Sequence, residues 1–422
     1  MTSSNQEREA VIRRELARWL DAEWSVDRSL REWREALVDA GWAAPTWPKA
    51  WHGRDFSHAE AATVARCFRE RGIVGAASTG PRSLAAETLL AHGSDSQRAR
   101  FLRPILTGEH SWCQLFSEPG SGSDLAGLTT RAQRDGSYYL INGQKVWNTS
   151  AHHADFGILL ARTDWDLPKH QGISYFVIDM RQPGVEVRPL RQMNGHASFN
   201  EVFLTDAVVA ETDRIGAEGE GWRIAQTTLS FERGAFGRDR AADALADRPG
   251  RIYGEYAEEV RRAMEPYRWY PQRAGRADLL LSQARATGRI KDPVVRQEIA
   301  RALILAEGAR LATSQAEARR RAGSSEVIPG GSIGKLAASV IARQCSVAHT
   351  LIAGSNSLLG GGDANADGLV AEILLSVPAI SIAGGTDEIQ RNIISERVLG
   401  LPKEPRFDSG PFRDIPRNPG RR

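Results

Sequence analysis

Along the first hundred residues the apolar positions recur at helical spacing. In "EREAVIRRELARWLDAEW" Ala10 or Val11, Leu16 and Leu20 fall on one stripe, and "SLREWREALVDAGW" repeats the pattern up to Gly41, a C-cap candidate. "SHAEAATVARCFRERG" opens with Ser57 three residues ahead of Glu60, the spacing of a capping box. "SDSQRARFLRPILTGE" continues the helical texture, with Pro104 predicting a kink or break. From Ser111 the pattern changes to short runs rich in β-branched and aromatic residues, such as "SWCQLFSE", "DFGILLART" and "GISYFVIDM". Turn dipeptides separate them, and Asp135-Gly136 and Asn142-Gly143 both fit tight hairpins. Six or more short strands with no helix between them predict an antiparallel β-barrel or sandwich.

From Gly221 helical spacing returns in "WRIAQTTLSFERGAF", "DPVVRQEIARALILAEGARLATSQAEARRRAG" and "GGSIGKLAASVIARQCSVAHTLIAGS". A last helix starts at Thr386 as N-cap, carries Asp387 and Glu388 in its positive first turn, and stops at Gly400. The predicted class is therefore α+β. It has an N-terminal α-helical domain over 1–111, a middle β domain over 112–220, a C-terminal helical bundle over 221–404 and a flexible tail over 405–422.

Composition narrows the function classes. With 41% hydrophobic and 25% charged residues the 422-residue chain reads as folded globular domains. A net charge of +3 is too balanced to predict a nucleic-acid partner, although arginines near glycine turns suit a phosphate-bearing small molecule. Cys67, Cys113 and Cys345 are far apart, so neither a zinc site nor a disulfide framework is expected. Adjacent His152 and His153 beside Asp155 point different ways, and no metal is expected there. No window reaches the ~18 uninterrupted apolar residues of a membrane span, and the first twenty residues lack a signal-peptide pattern. A cytoplasmic location is the expectation.

Candidate chemistry begins at "CQLFSEPGSGSDLAG", where a strand runs into a glycine–serine loop that leaves backbone N–H groups and hydroxyls for a polar ligand. About thirty residues on, "GQKVWNTS" puts the Trp147 indole and the Thr149 hydroxyl on one strand with matching parity, suited to one face of a planar heteroaromatic cofactor. These two segments, followed by "GGTDEIQRNIISERVLG" in an α–β–α frame, resemble the acyl-CoA dehydrogenase family from about residue 5 to residue 402. The texture is similar to actinobacterial-type members acting in fatty acyl and sterol side-chain degradation. The resemblance implies FAD as cofactor, an acyl-CoA substrate, an electron acceptor of the electron-transfer flavoprotein kind, and a homotetramer or heterotetramer built as a dimer of dimers.

Carried over by motif, Leu115, Phe116 and Ser117 would contact the pyrimidine end of the flavin, and Trp147 and Thr149 would flank its ring. Ser123 would touch the acyl-CoA, and Thr386 matches a position near the nucleotide. The family's Arg-x-x-Phe-Gly segment reads "RATGRIKDPVVRQ" here, leaving Gln297 and, more weakly, Arg289; its Gly-Gly-x-Gly reads "GSNS", leaving Gly354.

Where many family members carry a glutamate base, directly before Gly-Thr, this chain has Gly384. The resemblance implies that the Gly384 N–H still bonds the thioester carbonyl. It also points to a second position for the base, Glu232, on the first helix after the β domain, with Arg233 organising the site. From the residues themselves, the helical neighbours of Glu232 are Thr228, Leu229, Ala235 and Phe236, none able to form an intrahelical ion pair. Asp387 and Glu388 are explained by the helix dipole alone. The stretch 238–274 adds Tyr253, Tyr256, Tyr267, Trp269 and Tyr270, which could wall an acyl pocket, thicken a subunit interface, or pack on the chain itself. Two alternatives remain open: a non-catalytic partner subunit of a mixed tetramer, and a flavin monooxygenase or oxidase on the same fold.

Overall fold

The computed structural model describes residues 3–77, 80–235, 245, 248–321, 330–361, 365–405 and 408–415. They form two compact units: one runs to Leu190 and includes Ser198–Pro266 and the segment from Asp408, and the other comprises Arg191–Ala197 and Tyr267–Phe407.

In the first unit, α1 (Ser3–Glu23), α2 (Leu30–Asp39), α3 (His58–Arg71), α4 (Pro81–His92) and α5 (Asp95–Thr107) precede the sheet. Capping boxes start α2 at Ser29/Glu32, α3 at Ser57/Glu60 and α5 at Ser94/Gln97. Past α2 the Gly41 N–H bonds Val38 O and the Trp42 N–H bonds Leu37 O, with Gly41 at φ 76°, the left-handed turn that glycine allows. On α1 it is Ile12 that lines the core with Leu16 and Leu20, while Val11 is 42% exposed. Pro104 lies inside α5, three residues from its end, without ending the helix, although it has no N–H to offer the carbonyl four residues earlier.

The strands are β1 (Trp112–Leu115), β2 (Arg131–Asp135), β3 (Tyr138–Thr149), β4 (Phe156–Arg162), β5 (Ile173–Asp179), β6 (Val185–Leu190), β7 (Phe199–Ala210) and β8 (Arg214–Ile215). They form one sheet in the order β6-β7-β3-β2-β4-β5-β8. The expected antiparallel pattern holds for most pairs, but β1 runs parallel to β4, and β2 meets β4 in parallel at Arg131↔Arg162. Turn signals register only sequence neighbours, and these partners are not neighbours. Asp135-Gly136 does make a hairpin, with Asp135 opposite Tyr138. Asn142-Gly143 does not: it lies inside β3, where the register shifts between Ile141 and Gly143. A Cβ on Gly143 would come within 2.8 Å of Thr130 Cα, so glycine marks a bulge with close backbone approach.

β4 and β5 are buried on both faces. Ile158, Leu160, Tyr175 and Val177 pack into the core shared with α4 and α5, whereas Leu159, Ala161, Phe176 and Ile178 pack on the opposite side with Tyr139 and Val202. After the sheet, α6 (Gly221–Ala235) lays Ile224 and Ala225 on the first of these cores. The aromatic stretch then yields α7 (Arg251–Met264), whose Ile252 and Tyr253 are buried among the N-terminal helices; the Tyr253 hydroxyl donates to Gly72 O at 2.7 Å. That half of the stretch packs on the chain itself; residues 238–244, 246 and 247 lie outside the described residues.

The second unit contains α8 (Leu280–Ala286), α9 (Pro293–Arg321), α10 (Gly330–Ala353), α11 (Leu369–Ser376) and α12 (Asp387–Arg397). Leu280, Val295, Ile299, Cys345 and Ile352 form its core. Among the described residues one stretch, Gly331–Leu358, is long and apolar enough to cross a membrane by length and composition. It carries Lys335 and Arg343, which both bond Asp387 at the start of α12. The remaining aromatics of the insert lie in this unit, where the Arg273 guanidinium stacks 3.7 Å from the Tyr270 ring centre.

Candidate active site

The first unit gathers one group of candidates around the exit of β1. Leu115 and Phe116 are buried in different cores, so any ligand contact from them goes through the backbone. Below that backbone lies a buried ion pair that sequence reasoning missed. Lys145 Nζ donates to Glu118 Oε1 at 2.8 Å and to Phe116 O at 3.1 Å. Glu118 also accepts from the Thr129 N–H at 2.7 Å, the Thr129 hydroxyl at 2.9 Å and the Thr130 N–H at 2.8 Å. Burial alone would raise its pKa; Lys145 and these bonds instead pull the carboxyl down to about 2. Burial likewise pushes the Lys145 ammonium below its ordinary value, against the pull of Glu118.

This pair fixes the 116–118 segment against β3. One residue on, the Val146 N–H donates to Ser117 O at 2.9 Å, and the β3·β7 register breaks between Lys145 and Asn148. The break turns Trp147 outward at φ 65°, a conformation costing a bulky L-residue roughly 1–2 kcal/mol. Its indole is 56% exposed and meets the Phe199 ring edge-on at 5.7 Å. Thr149, half-buried, pairs with Phe199 in the ladder. A strained, exposed indole with a hydroxyl from Thr149 and a half-buried Ser117 fits one face of a flavin ring.

Beyond Ser117 the chain makes a tight turn, Glu118 and Ser121 exchanging backbone bonds at 3.0 Å, and Ser123 follows, exposed. Glu232 lies on α6, half-buried. It extends the stripe formed by Gly221, Ala225 and Thr228, all buried, whose Thr228 hydroxyl meets those of Thr88 at 2.8 Å and Tyr175 at 3.1 Å. The Arg233 side chain lies outside the described residues.

The second unit holds the others. Gly384 and Gly385 run at φ 68° and 86° into Thr386, whose hydroxyl caps α12 by accepting from the Ile389 N–H at 3.2 Å. Gly384 O accepts from Gln390 Nε2 at 3.1 Å. Asp387 is buried: burial would raise its pKa, but Ser339, Lys335 and Arg343 pull it down to about 2. Glu388 is 76% exposed and pairs with Arg391. Gly354, at φ 59°, lies beside Arg289, whose Nη2 would be 3.8 Å from a Cβ there. These two phosphate candidates are brought together; Gln297 is exposed on α9.

Family models match three stretches of the chain in order: Acyl-CoA dehydrogenase, N-terminal domain, over 6–109; middle domain over 113–207; C-terminal domain over 276–399. The acyl-CoA dehydrogenase FadE34 of Mycobacterium tuberculosis is 37% identical over 87% of this chain, which spans 46% of that relative's length. The acyl-CoA dehydrogenase IpdE1 of the same organism is 34% identical, over 89% of this chain and 88% of the relative. Among solved structures, the Tcur3481-Tcur3483 steroid ACAD superposes with a TM-score of 0.63 at 23% identity, covering 96% of this chain and 99% of its own.

Proposed function

Because the chain belongs to the acyl-CoA dehydrogenase family, whose members are FAD-dependent oxidoreductases, we propose that it converts an acyl-CoA thioester to the trans-2-enoyl-CoA with Glu232 as base. The observation that carries this reading is the place of Glu232, a half-buried carboxylate continuing the buried stripe of α6. The acids of the C-terminal motif are otherwise engaged: Asp387 is locked between two cations and Glu388 faces solvent. A base must meet a weakly acidic α-C–H, which calls for a carboxylate held in place rather than one free in solvent.

Bound FAD supplies the two-electron acceptor for the β-hydrogen. Trp147 and Thr149 would flank its ring, the backbone of Leu115, Phe116 and Ser117 would meet its pyrimidine end, and Gly354, Gln297, Arg289 and Thr386 would serve its nucleotide and phosphates. The Gly384 N–H orients and polarises the thioester carbonyl, which glycine permits because it keeps the donor. Ser123 contacts the acyl-CoA, and Arg233 organises the base. The substrate class is a fatty acyl or sterol side-chain thioester, the acceptor an electron-transfer flavoprotein, and the assembly a homotetramer or heterotetramer.

The test is anaerobic mixing of the yellow protein with straight, branched and steroid-side-chain acyl-CoAs while flavin absorbance is followed. Bleaching by one thioester, slowed at least about a hundredfold in Glu232→Gln with FAD retained, is the expected result. Bleaching that persists in Glu232→Gln removes the base assignment. No bleaching by any thioester favours the non-catalytic partner subunit, a reading that Gly384 and the altered "GSNS" motif support.

A further inference from the structure

The segment Asp408–Ile415, expected from its composition to belong to a flexible tail, folds back along the connection between β4 and β5. The Phe412 N–H donates to Leu167 O at 3.0 Å and the Arg413 N–H to Trp165 O at 2.9 Å. Pro168 and Pro411 form an isolated bridge, and Arg413 pairs with Asp166. Two cations anchor this strap. Phe412 is 2% exposed, with the Arg162 guanidinium 3.3 Å from its ring centre. Asp408 pairs with Lys169.

Both cations also hold the Ser121–Leu128 loop. Buried Arg162 donates to Ala126 O at 2.7 Å, Leu128 O at 3.1 Å and Lys169 O at 3.0 Å. Lys169 Nζ donates to Asp124 Oδ1 at 2.8 Å, one residue from Ser123. Burial works against the Lys169 charge, and the Asp124 and Asp408 carboxylates more than compensate, so its pKa is raised. β4 and β5 pair with each other along their whole length, and no rung of that ladder comes from the strap. Its two anchors converge on one loop.

We propose that Asp408–Ile415 is a clamp that sets the conformation of the Ser123 loop for acyl-CoA binding, with Arg162 and Lys169 as positioning residues. The substrate half rests on the reading that Ser123 contacts the thioester; the clamp itself does not. An aromatic face over a desolvated guanidinium is a strong contact, and its loss frees the group that pins Ala126 O and Leu128 O at the far end of the loop.

The experiment compares the full-length, FAD-loaded protein with Phe412→Leu, which removes the ring face, Phe412→Tyr, which keeps it, and Asp408→Asn. Amide exchange across 121–128 should rise about tenfold in Phe412→Leu and in Asp408→Asn, with β4 unchanged and Phe412→Tyr close to the parent. For whichever thioester bleaches the flavin, KM should rise about tenfold with kcat within about twofold. Unchanged loop exchange in both Phe412→Leu and Asp408→Asn overturns the clamp. Faster exchange with an unchanged KM overturns its role in substrate binding. Should Phe412→Leu fail to fold, Asp408→Asn at the partly exposed end decides alone. If no thioester bleaches the parent protein, the dehydrogenase reading fails, and loop exchange still decides the clamp.

Discussion

Replacing Lys145 with methionine tests whether the buried pair is what holds the 116–118 segment, proposed to meet the flavin. The Lys145 side chain is 0% exposed and that of Glu118 5%, so solvent screens neither charge. The Glu118 carboxyl is pulled from an ordinary 4.5 down to about 2, a gap of about 2.5 pH units. At 1.36 kcal/mol per unit the carboxyl's own share is on the order of 3 kcal/mol in favour of the folded state, opposed by the burial that depresses the Lys145 ammonium. The folded-state pKa is the lower one, so this contribution is full above about pH 4.5 and is lost as pH falls toward about 2.

In Lys145→Met the carboxylate stays buried without its cation, at a cost of about 3–5 kcal/mol at neutral pH. Its pKa then rises, and the deficit relative to the parent shrinks on acidification, because the neutral acid is cheaper to bury. Adding Glu118→Gln should recover about 2–3 kcal/mol of that loss, since the pair is then removed together. Urea unfolding of the four proteins at pH 7 and near pH 4.5 checks both signs. Phe116 O loses its donor in both proteins that carry Lys145→Met, so FAD should dissociate more readily from each of them than from the parent. Strictly additive single effects, or a Lys145→Met deficit independent of pH, would refute the electrostatic account and leave only packing.

Three further outcomes follow from the same geometry. Trp147→Gly relieves a left-handed tryptophan at φ 65°, so the apoprotein should gain about 1 kcal/mol in thermal unfolding while FAD affinity falls about tenfold; a parallel fall in both would make the indole structural. Asp387→Asn should cost about 2–4 kcal/mol by leaving Lys335 and Arg343 without their buried partner. Because Asp387 is held at about 2 against an ordinary 3.8, the parent's acid-unfolding curve should fall between those values and the variant's should flatten there. Gly384→Ala keeps the N–H, so kcat/KM should fall less than about tenfold with a stability cost near 1 kcal/mol at φ 68°; a loss above about a hundredfold would mean that more than a backbone donor was removed.

What the sequence made legible was local. Ser57 and Glu60 are three residues apart, and the capping box they form needs nothing from the rest of the chain. Asp135-Gly136 closes a hairpin on its own geometry, but Asn142-Gly143, the same kind of dipeptide, lies at a bulge where Thr130, just ahead of β2, approaches closely. Strand parity paired Trp147 with Thr149 and would have put Lys145 on their side. The register break instead buries Lys145 and exposes Trp147, and only the partner strand β7 reveals it. Glu118 and Lys145 meet across 27 residues of sequence, and Arg162 meets Phe412 across most of the C-terminal half, so neither contact has a local signal.

On the proposed function, the two glycines before α12 mark a relocation of the base and not a loss of chemistry. Gly384 and Gly385 lie consecutively in left-handed backbone, where a side chain at either position adds roughly 1–2 kcal/mol of strain. The next acid, Asp387, spends its charge on Lys335 and Arg343. That segment therefore offers backbone N–H groups and a helix start, the equipment for polarising a carbonyl. A chain that had merely lost its catalytic carboxylate would have no reason to keep a strained, exposed Trp147 over a buried charge pair, nor an acid in register with the buried stripe of α6. The left-handed, exposed Trp147 is costly for stability alone, and on the proposed function flavin binding is what would offset that cost.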